Sequence, residues 1–132
     1  MDYKFIPTKV HGALDYIVAI ALIFAPWLFG FSNVGGAAVI IPMVLGAGLI
    51  LYSLFTKYEW GLVKVLSMPY HLVVDVLASL LLIASPFLFG FYNMDMWNVW
   101  VPHVAVGIAV ILVVIFSKTQ PEATLAPEKT RL

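Results

Sequence analysis

The sequence has no cysteine and few charged residues, and each of these deficits excludes a class of function. Without cysteine the chain forms no disulfide, no thiolate metal site and no Cys-x-x-Cys redox centre. Only 11% of its residues are charged, where soluble domains carry about 25%, and its formal net charge is zero. We therefore expect most of the surface to face something other than water, and we expect no nucleic-acid partner.

Motifs typical of enzymes are also missing from the sequence. It has no Gly-rich phosphate loop, no His-Glu-x-x-His pair and no Ser/His/Asp set on a nucleophile turn. Its single arginine, Arg131, lies near the C-terminus, so a buried anion site is not expected. The sequence predicts a protein that is not an enzyme.

Long apolar stretches dominate the chain, which is 63% hydrophobic with a mean hydropathy of +1.02. The intervals 10–56 and 65–117 contain only three charged residues, Asp15, Asp75 and Asp95. Each interval is long enough for two membrane spans of about 20 residues. We predict one all-α membrane domain over 1–132, an integral membrane four-helix bundle with helices at about His11–Phe31, Ala37–Phe55, Pro69–Phe91 and Asn98–Phe116.

An internal repeat organises these spans. The segment 26–33, Pro-Trp-Leu-Phe-Gly-Phe-Ser-Asn, returns sixty residues later at 86–93 as Pro-Phe-Leu-Phe-Gly-Phe-Tyr-Asn. The repeat predicts two tandem helix hairpins, repeat 1 at about 10–57 and repeat 2 at about 70–117. Since both hairpins enter the membrane in the same direction, a pseudo-two-fold axis along the membrane normal should relate them.

The offset of sixty also pairs residues outside this segment. His11 falls on His71, Asp15 on Asp75, Pro42 on Pro102 and Met43 on His103. Proline, glycine and asparagine in the repeated segment are suited to ending a span and making a turn, and the aromatics to anchoring it at the interface. The residues expected in this role are Pro26, Trp27, Gly30, Asn33, Pro86, Phe87, Gly90 and Asn93.

The basic residues predict the orientation in the membrane. All seven fall on one side of the predicted spans: Lys4, Lys9, Lys57, Lys64, Lys118, Lys129 and Arg131. By the positive-inside rule, both termini, the loop 56–68 and a flexible tail at 118–132 should be cytoplasmic. Tyr58 and Trp60 in that loop are expected at an interfacial aromatic belt.

The triplets Ala25-Pro26-Trp27 and Ser85-Pro86-Phe87 carry a family resemblance. The chain resembles the SPW-repeat family of bacterial integral membrane proteins, which is named for a Ser-Pro-Trp signature. In that family each repeat is a helix pair with an acidic residue upstream, a position that Asp15 and Asp75 match. The resemblance implies the architecture and a bacterial inner-membrane location, and it brings no established activity.

The candidate functional residues are two pairs spaced by four positions, His11 with Asp15 and His71 with Asp75. This spacing puts both side chains of a pair on one helix face, and ionisable groups within spans are costly and start as functional candidates. The pairs could lock helix packing, pass protons or ions, bind a divalent metal, or ligate haem through His11 and His71. His103 is expected at the interface or facing water.

Small residues predict close helix contacts at Gly46, Gly48 and Gly107, either within the monomer or in a homo-oligomer. The leading functional hypothesis is a non-catalytic inner-membrane module without a cofactor, embedded in the lipid bilayer as a homo-oligomer or beside another membrane subunit. The alternatives are a proton or ion channel or transporter that uses the His/Asp pairs, and a haem- or metal-binding redox subunit.

Overall fold

The computed structural model describes residues 3–121, which form a bundle of four helices in which each helix runs antiparallel to the next one along the chain. Within this range the only strand-like pairings are two one-residue bridges. All four helices are long and apolar enough to cross a membrane, which confirms the predicted all-α four-span fold. Most of the tail predicted at 118–132 lies outside the described residues. The helices are α1 Thr8–Leu28, α2 Gly36–Leu54, α3 Met68–Leu88 and α4 Trp97–Ile115.

Two glycines allow the helices of each hairpin to pack closely. A Cβ on Gly46 would lie 2.6 Å from the backbone oxygen of Ala19, and one on Gly107 would lie 2.9 Å from that of Ser79. Only hydrogen fits at these two crossings of α1 with α2 and of α3 with α4. A Cβ on Gly48 would meet nothing within 4 Å, so this third glycine leaves an open surface on α2.

The first helix of each hairpin ends three residues earlier than predicted. Phe29 and Phe89 are the C-caps, and the glycines that follow them, Gly30 and Gly90, have φ angles of 73° and 72°. This left-handed backbone suits glycine, and it turns the chain out of the helix. Pro26 remains inside the last turns of α1.

The second hairpin contains one extra residue in its connecting turn. The starts of α1 and α3 are 60 residues apart, but those of α2 and α4 are 61 apart, at Gly36 and Trp97. The pairings of Pro42 with Pro102 and of Met43 with His103 are therefore wrong, and Pro42 corresponds to His103. The sequence supports the shift, since an offset of 61 aligns Gly46/Gly107, Ile50/Ile111, Leu51/Leu112, Phe55/Phe116 and Lys57/Lys118.

The serine of the second triplet supplies the hydrogen-bond donor that proline removes from α3. Pro86 has no N–H, so the carbonyl of Leu82, four residues earlier, loses its usual helical partner. The Ser85 hydroxyl donates to this carbonyl at 2.8 Å, and the residue is fully buried. In α1 the corresponding serine is replaced by Ala25, which has no hydroxyl.

We predict that Ser85→Ala lowers the free energy of unfolding by about 1 kcal/mol, because a buried carbonyl loses its donor. Ala25→Ser should raise the stability, since Pro26 frees the equivalent carbonyl of Leu22. Thermal unfolding of the detergent-solubilised protein measures both changes. Ser53→Ala is the matched control, because Ser53 is fully buried and its hydroxyl donates to no backbone carbonyl. Equal effects of Ser85→Ala and Ser53→Ala would contradict the prediction.

Candidate functional site

The basic residues within the described range gather at one end of the bundle, where α1 and α3 begin and α2 and α4 end. We call this the basic end. The backbones of α1 and α3 approach each other at few points, so side chains make most of the link between these two helices, whereas α2 packs directly against α3. The lysines at this end are Lys4, Lys9, Lys57, Lys64 and Lys118.

Both predicted pairs meet at the basic end in one cluster, the His/Asp tetrad of His11, Asp15, His71 and Asp75. Nε2 of each histidine lies 3.0 Å from a carboxylate oxygen of the other repeat, His11 from Asp75 and His71 from Asp15. The distances within each repeat are longer, at 3.2 Å and 3.3 Å. All four residues are buried, with at most 7% exposure. The tetrad therefore crosses between the repeats.

Two hydroxyl groups orient the imidazole rings. Nδ1 of His11 lies 2.7 Å from Ser117 Oγ, and Nδ1 of His71 lies 2.7 Å from Thr56 Oγ1. Each hydroxyl donates its own proton to a backbone carbonyl one helical turn back, that of Val113 or Tyr52. The hydroxyls must therefore accept from Nδ1–H, which leaves Nε2 of both rings facing the carboxylates.

A backbone bridge fixes the position of each hydroxyl. Ser117 pairs with Ile6, the residue that precedes α1 by two positions, and Thr56 pairs with Leu66, which precedes α3 in the same way. The two bridges occupy equivalent positions in the two repeats. Each joins the end of one hairpin to the residues just before the first helix of the other hairpin. Neither hydroxyl was predicted from the sequence, although the matching segments Phe55-Thr56-Lys57 and Phe116-Ser117-Lys118 indicate them.

Two tyrosines donate to the carboxylates from the other side. The Tyr52 hydroxyl donates to Asp75 Oδ1, and the Tyr58 hydroxyl donates to Asp15 Oδ2 at 2.7 Å. Burial and then the nearby Asp15 carboxylate raise the pKa of the Tyr58 phenol, so this hydroxyl keeps the proton that it donates. Tyr58 was expected in the interfacial belt, but it is only 1% exposed because the loop folds back over the tetrad.

One polar atom of the tetrad has no hydrogen bond. His71 Nε2 is 3.0 Å from Asp15 Oδ2 and 3.3 Å from Asp75 Oδ2, yet its direction satisfies hydrogen-bond geometry with neither oxygen. His71 is fully buried, so water does not reach the atom. Buried polar atoms without a partner are rare and require an explanation.

An apolar cavity of about 250 Å³ lies beside the tetrad, between all four helices. His11, Asp15, Tyr52 and Asp75 form its polar edge, and aliphatic side chains make up most of the remaining lining. The lining contains one further hydroxyl, that of Ser79, which donates to the Asp75 carbonyl, and it therefore gives a hydrated ion or a proton few polar groups to follow toward the opposite end of the bundle. The aliphatic residues include Leu22, Leu45, Leu49, Leu82, Val106 and Val110.

The tetrad does not fit a haem held by His11 and His71. In a bis-histidine site the porphyrin plane lies between the two imidazoles. Here Nε2 of both rings contacts the same atom, Asp75 Oδ2, at 3.0 Å and 3.3 Å, and the ring centroids are 5.4 Å apart. The carboxylates therefore occupy the space that a macrocycle requires.

The third histidine contacts backbone carbonyl oxygens at the opposite end of the bundle. His103 is 2% exposed, so the expectation that it faces water or the interface is wrong. Its Nε2 lies 3.0 Å from the oxygen of Ala38, the carbonyl that Pro42 leaves without a helical donor. Phe31 and Phe91, which are equivalent in the two repeats, flank its ring at 5.4 Å and 4.8 Å.

Comparison with known protein families identifies the chain. The model of the SPW repeat domain matches residues 9–117, and the protein belongs to this family. The match includes both hairpins and the whole tetrad. Comparisons with curated proteins and with solved structures gave no match.

We predict that Asp75→Asn strongly destabilises the bundle, because it removes the carboxylate that lies 3.0 Å and 3.3 Å from Nε2 of His11 and His71 and that accepts from Tyr52. Breaking a buried ion pair costs about 3–5 kcal/mol. Thermal unfolding in detergent, followed by size-exclusion chromatography, measures the loss. Asp95→Asn is the control, since Asp95 is exposed in the turn before α4. Equal unfolding temperatures for the two variants would exclude a structural role for the tetrad.

Proposed function

We propose that the protein is a non-catalytic module of the bacterial inner membrane, in which the His/Asp tetrad holds two SPW repeats together. It acts as a homo-oligomer or as an accessory subunit beside another membrane protein. The observation that carries the proposal is the crossed contact. Each histidine lies closer to the aspartate of the other repeat, 3.0 Å away, than to that of its own.

The use of polar groups at the basic end supports a structural role. The hydroxyls of Thr56 and Ser117 and the phenols of Tyr52 and Tyr58 are all committed to the tetrad or to the adjacent backbone. A relay needs groups that continue from such a cluster across the membrane. The neighbouring cavity is mainly aliphatic, which favours a structural link between the repeats over a channel.

The distribution of charge and aromatic residues supports an orientation with cytoplasmic termini. The described lysines all lie at the basic end, which the positive-inside rule assigns to the cytoplasm. At the opposite end the side chains of Trp27, Phe87 and Trp97 are 57%, 58% and 65% exposed. Their position suits aromatic anchors at the outer interface.

The outward surface of α2 supports assembly with a second membrane protein or with another copy of the chain. A side chain at Gly48 would meet nothing within 4 Å, so this position is not needed for packing inside the monomer. It interrupts a surface on which Val44 and Leu51 are 61% and 60% exposed. Small residues among larger apolar ones allow a partner helix to approach closely in lipid.

We predict that Gly48→Leu dissociates the oligomer without unfolding the monomer. The new side chain has free space in the monomer but would collide with a helix packed on α2. Light scattering in detergent and cross-linking in membranes measure the assembly.

Gly46→Leu is the contrasting variant, because a Cβ there already meets Ala19 and Ile23 and should disrupt the hairpin itself. A wild-type chain that is monomeric in membranes and copurifies with no other membrane protein would contradict the assembly proposal.

A further inference from the structure

We propose that the His/Asp tetrad binds one divalent transition-metal ion of the Zn²⁺ class in a tetrahedral site with two nitrogen and two oxygen ligands. The ligands are Nε2 of His11 and His71 and one carboxylate oxygen each of Asp15 and Asp75. This inference rests on the proposed function, in which the tetrad holds the two repeats together, and it adds a metal ion to the same cluster. All four ligand atoms lie within 4.8 Å of one another.

The distances between ligand atoms fit a small tetrahedral ion. Zn²⁺ binds nitrogen and oxygen at about 2.0–2.2 Å, so neighbouring ligands of a tetrahedral site lie about 3.3 Å apart. Nε2 of His11 and of His71 lies 3.0 Å and 3.3 Å from the same oxygen, Asp75 Oδ2, while Asp15 faces His11 with Oδ1 at 3.2 Å and His71 with Oδ2 at 3.0 Å. With one oxygen from each aspartate the four ligand atoms lie within 4.8 Å of one another, so the side chains must draw closer together to complete the coordination.

The direction of His71 Nε2 is the second observation, independent of these distances. This buried nitrogen faces two carboxylate oxygens but points at neither in hydrogen-bond geometry. As an N–H group it would be an unsatisfied buried donor, which is costly. As a lone pair directed between the two carboxylates it becomes a metal ligand, and the cost disappears.

Charge balance leads to the same ion. Two buried carboxylates require two positive charges nearby, because uncompensated buried charge is strongly unfavourable. One divalent cation supplies this charge, and with neutral histidines it leaves the site with no net charge.

The surroundings resemble the outer shell of a metal site. Metal-bound histidines usually donate their other ring N–H to a fixed acceptor, and ligating carboxylates are hydrogen-bonded in turn. Here Thr56 and Ser117 accept from Nδ1 of the two histidines, while Tyr52 holds the Asp75 oxygen that does not face them. Each ligand is therefore oriented before an ion arrives.

The ligand set selects the class of metal. Imidazole nitrogen favours Zn²⁺ and its neighbours in the transition series, whereas Ca²⁺ and Mg²⁺ require about six or more oxygen ligands. The tetrad offers two nitrogens and two carboxylates in a buried space. We therefore commit to a single tetrahedral transition-metal ion.

Metal titration of the full chain tests the proposal. The protein is purified in detergent, stripped with a chelator, and titrated with Zn²⁺ against a chromophoric chelator, and separately with Co²⁺. We expect one ion per chain and the intense visible bands of tetrahedral Co²⁺. Absence of stoichiometric binding, or a Co²⁺ spectrum of octahedral type, would overturn the proposal.

Variants locate the ion. His71→Gln should weaken Zn²⁺ binding by about 100-fold or more, and Thr56→Val, which removes only the acceptor of Nδ1, by about 10-fold to 100-fold. His103→Gln is the matched control, because His103 lies at the opposite end of the bundle against backbone carbonyls, and it should bind as the wild type does. If His71→Gln does not fold, the Thr56→Val affinity and the wild-type Co²⁺ spectrum still decide the question.

The outcomes separate this inference from the proposed function. If the stripped wild-type protein binds no ion but Asp75→Asn is less stable than the wild type, the tetrad still links the repeats and the metal site is overturned. Stoichiometric binding that is unchanged in both His71→Gln and Thr56→Val would place the ion elsewhere and also overturn it. Binding that these variants weaken supports the site, whatever the oligomeric state.

Discussion

The crossed contact between the histidine of one repeat and the aspartate of the other is the interaction on which this bundle depends. Within a hairpin, close packing of apolar helices and Gly46 or Gly107 at the crossing provide the cohesion. Between hairpins α2 packs against α3, but the backbones of α1 and α3 meet at few points, and lipid supplies no hydrophobic force to press helices together. Four buried ionisable groups fill this gap. Separating the repeats would leave carboxylates unpaired in an apolar medium, and that cost joins them.

The tetrad is nearly symmetric, but its surroundings are not. The hydroxyls of Thr56 and Ser117 occupy equivalent positions after α2 and α4, and each orients one imidazole. Both phenols, in contrast, come from repeat 1 or the loop that follows it, since the position equivalent to Tyr52 is Val113. Duplication of one hairpin explains the paired ligands. The surrounding residues differ between the repeats, so the two carboxylates have different partners. Tyr52 in α2 donates to Asp75, and Tyr58 in the loop donates to Asp15.

The sequence predicted the four spans and both His/Asp pairs, because these depend on local composition and on a spacing of four residues along a helix. It did not predict the residues that complete the site. Thr56 and Ser117 lie 15 and 106 residues from the histidines that they contact, and only the fold brings them together. Tyr58 was expected at the interface because an aromatic residue among lysines is typical of a belt. The loop buries it instead. The single extra residue in the second turn concealed the equivalence of Pro42 and His103.

The polar side chains of the two ends have different partners, and this difference defines where a ligand can bind. At the end opposite the lysines, proline removes backbone donors, and polar side chains replace them. Ser85 donates to the Leu82 carbonyl, and His103 lies against the Ala38 carbonyl that Pro42 leaves free. The polar atoms of these two side chains are therefore occupied by backbone carbonyls of α2, α3 and α4. At the basic end the imidazoles and carboxylates face one another around a common centre, and the backbone there is satisfied by hydroxyls and bridges. The tetrad is therefore the polar group of the buried bundle that would meet the ion proposed above.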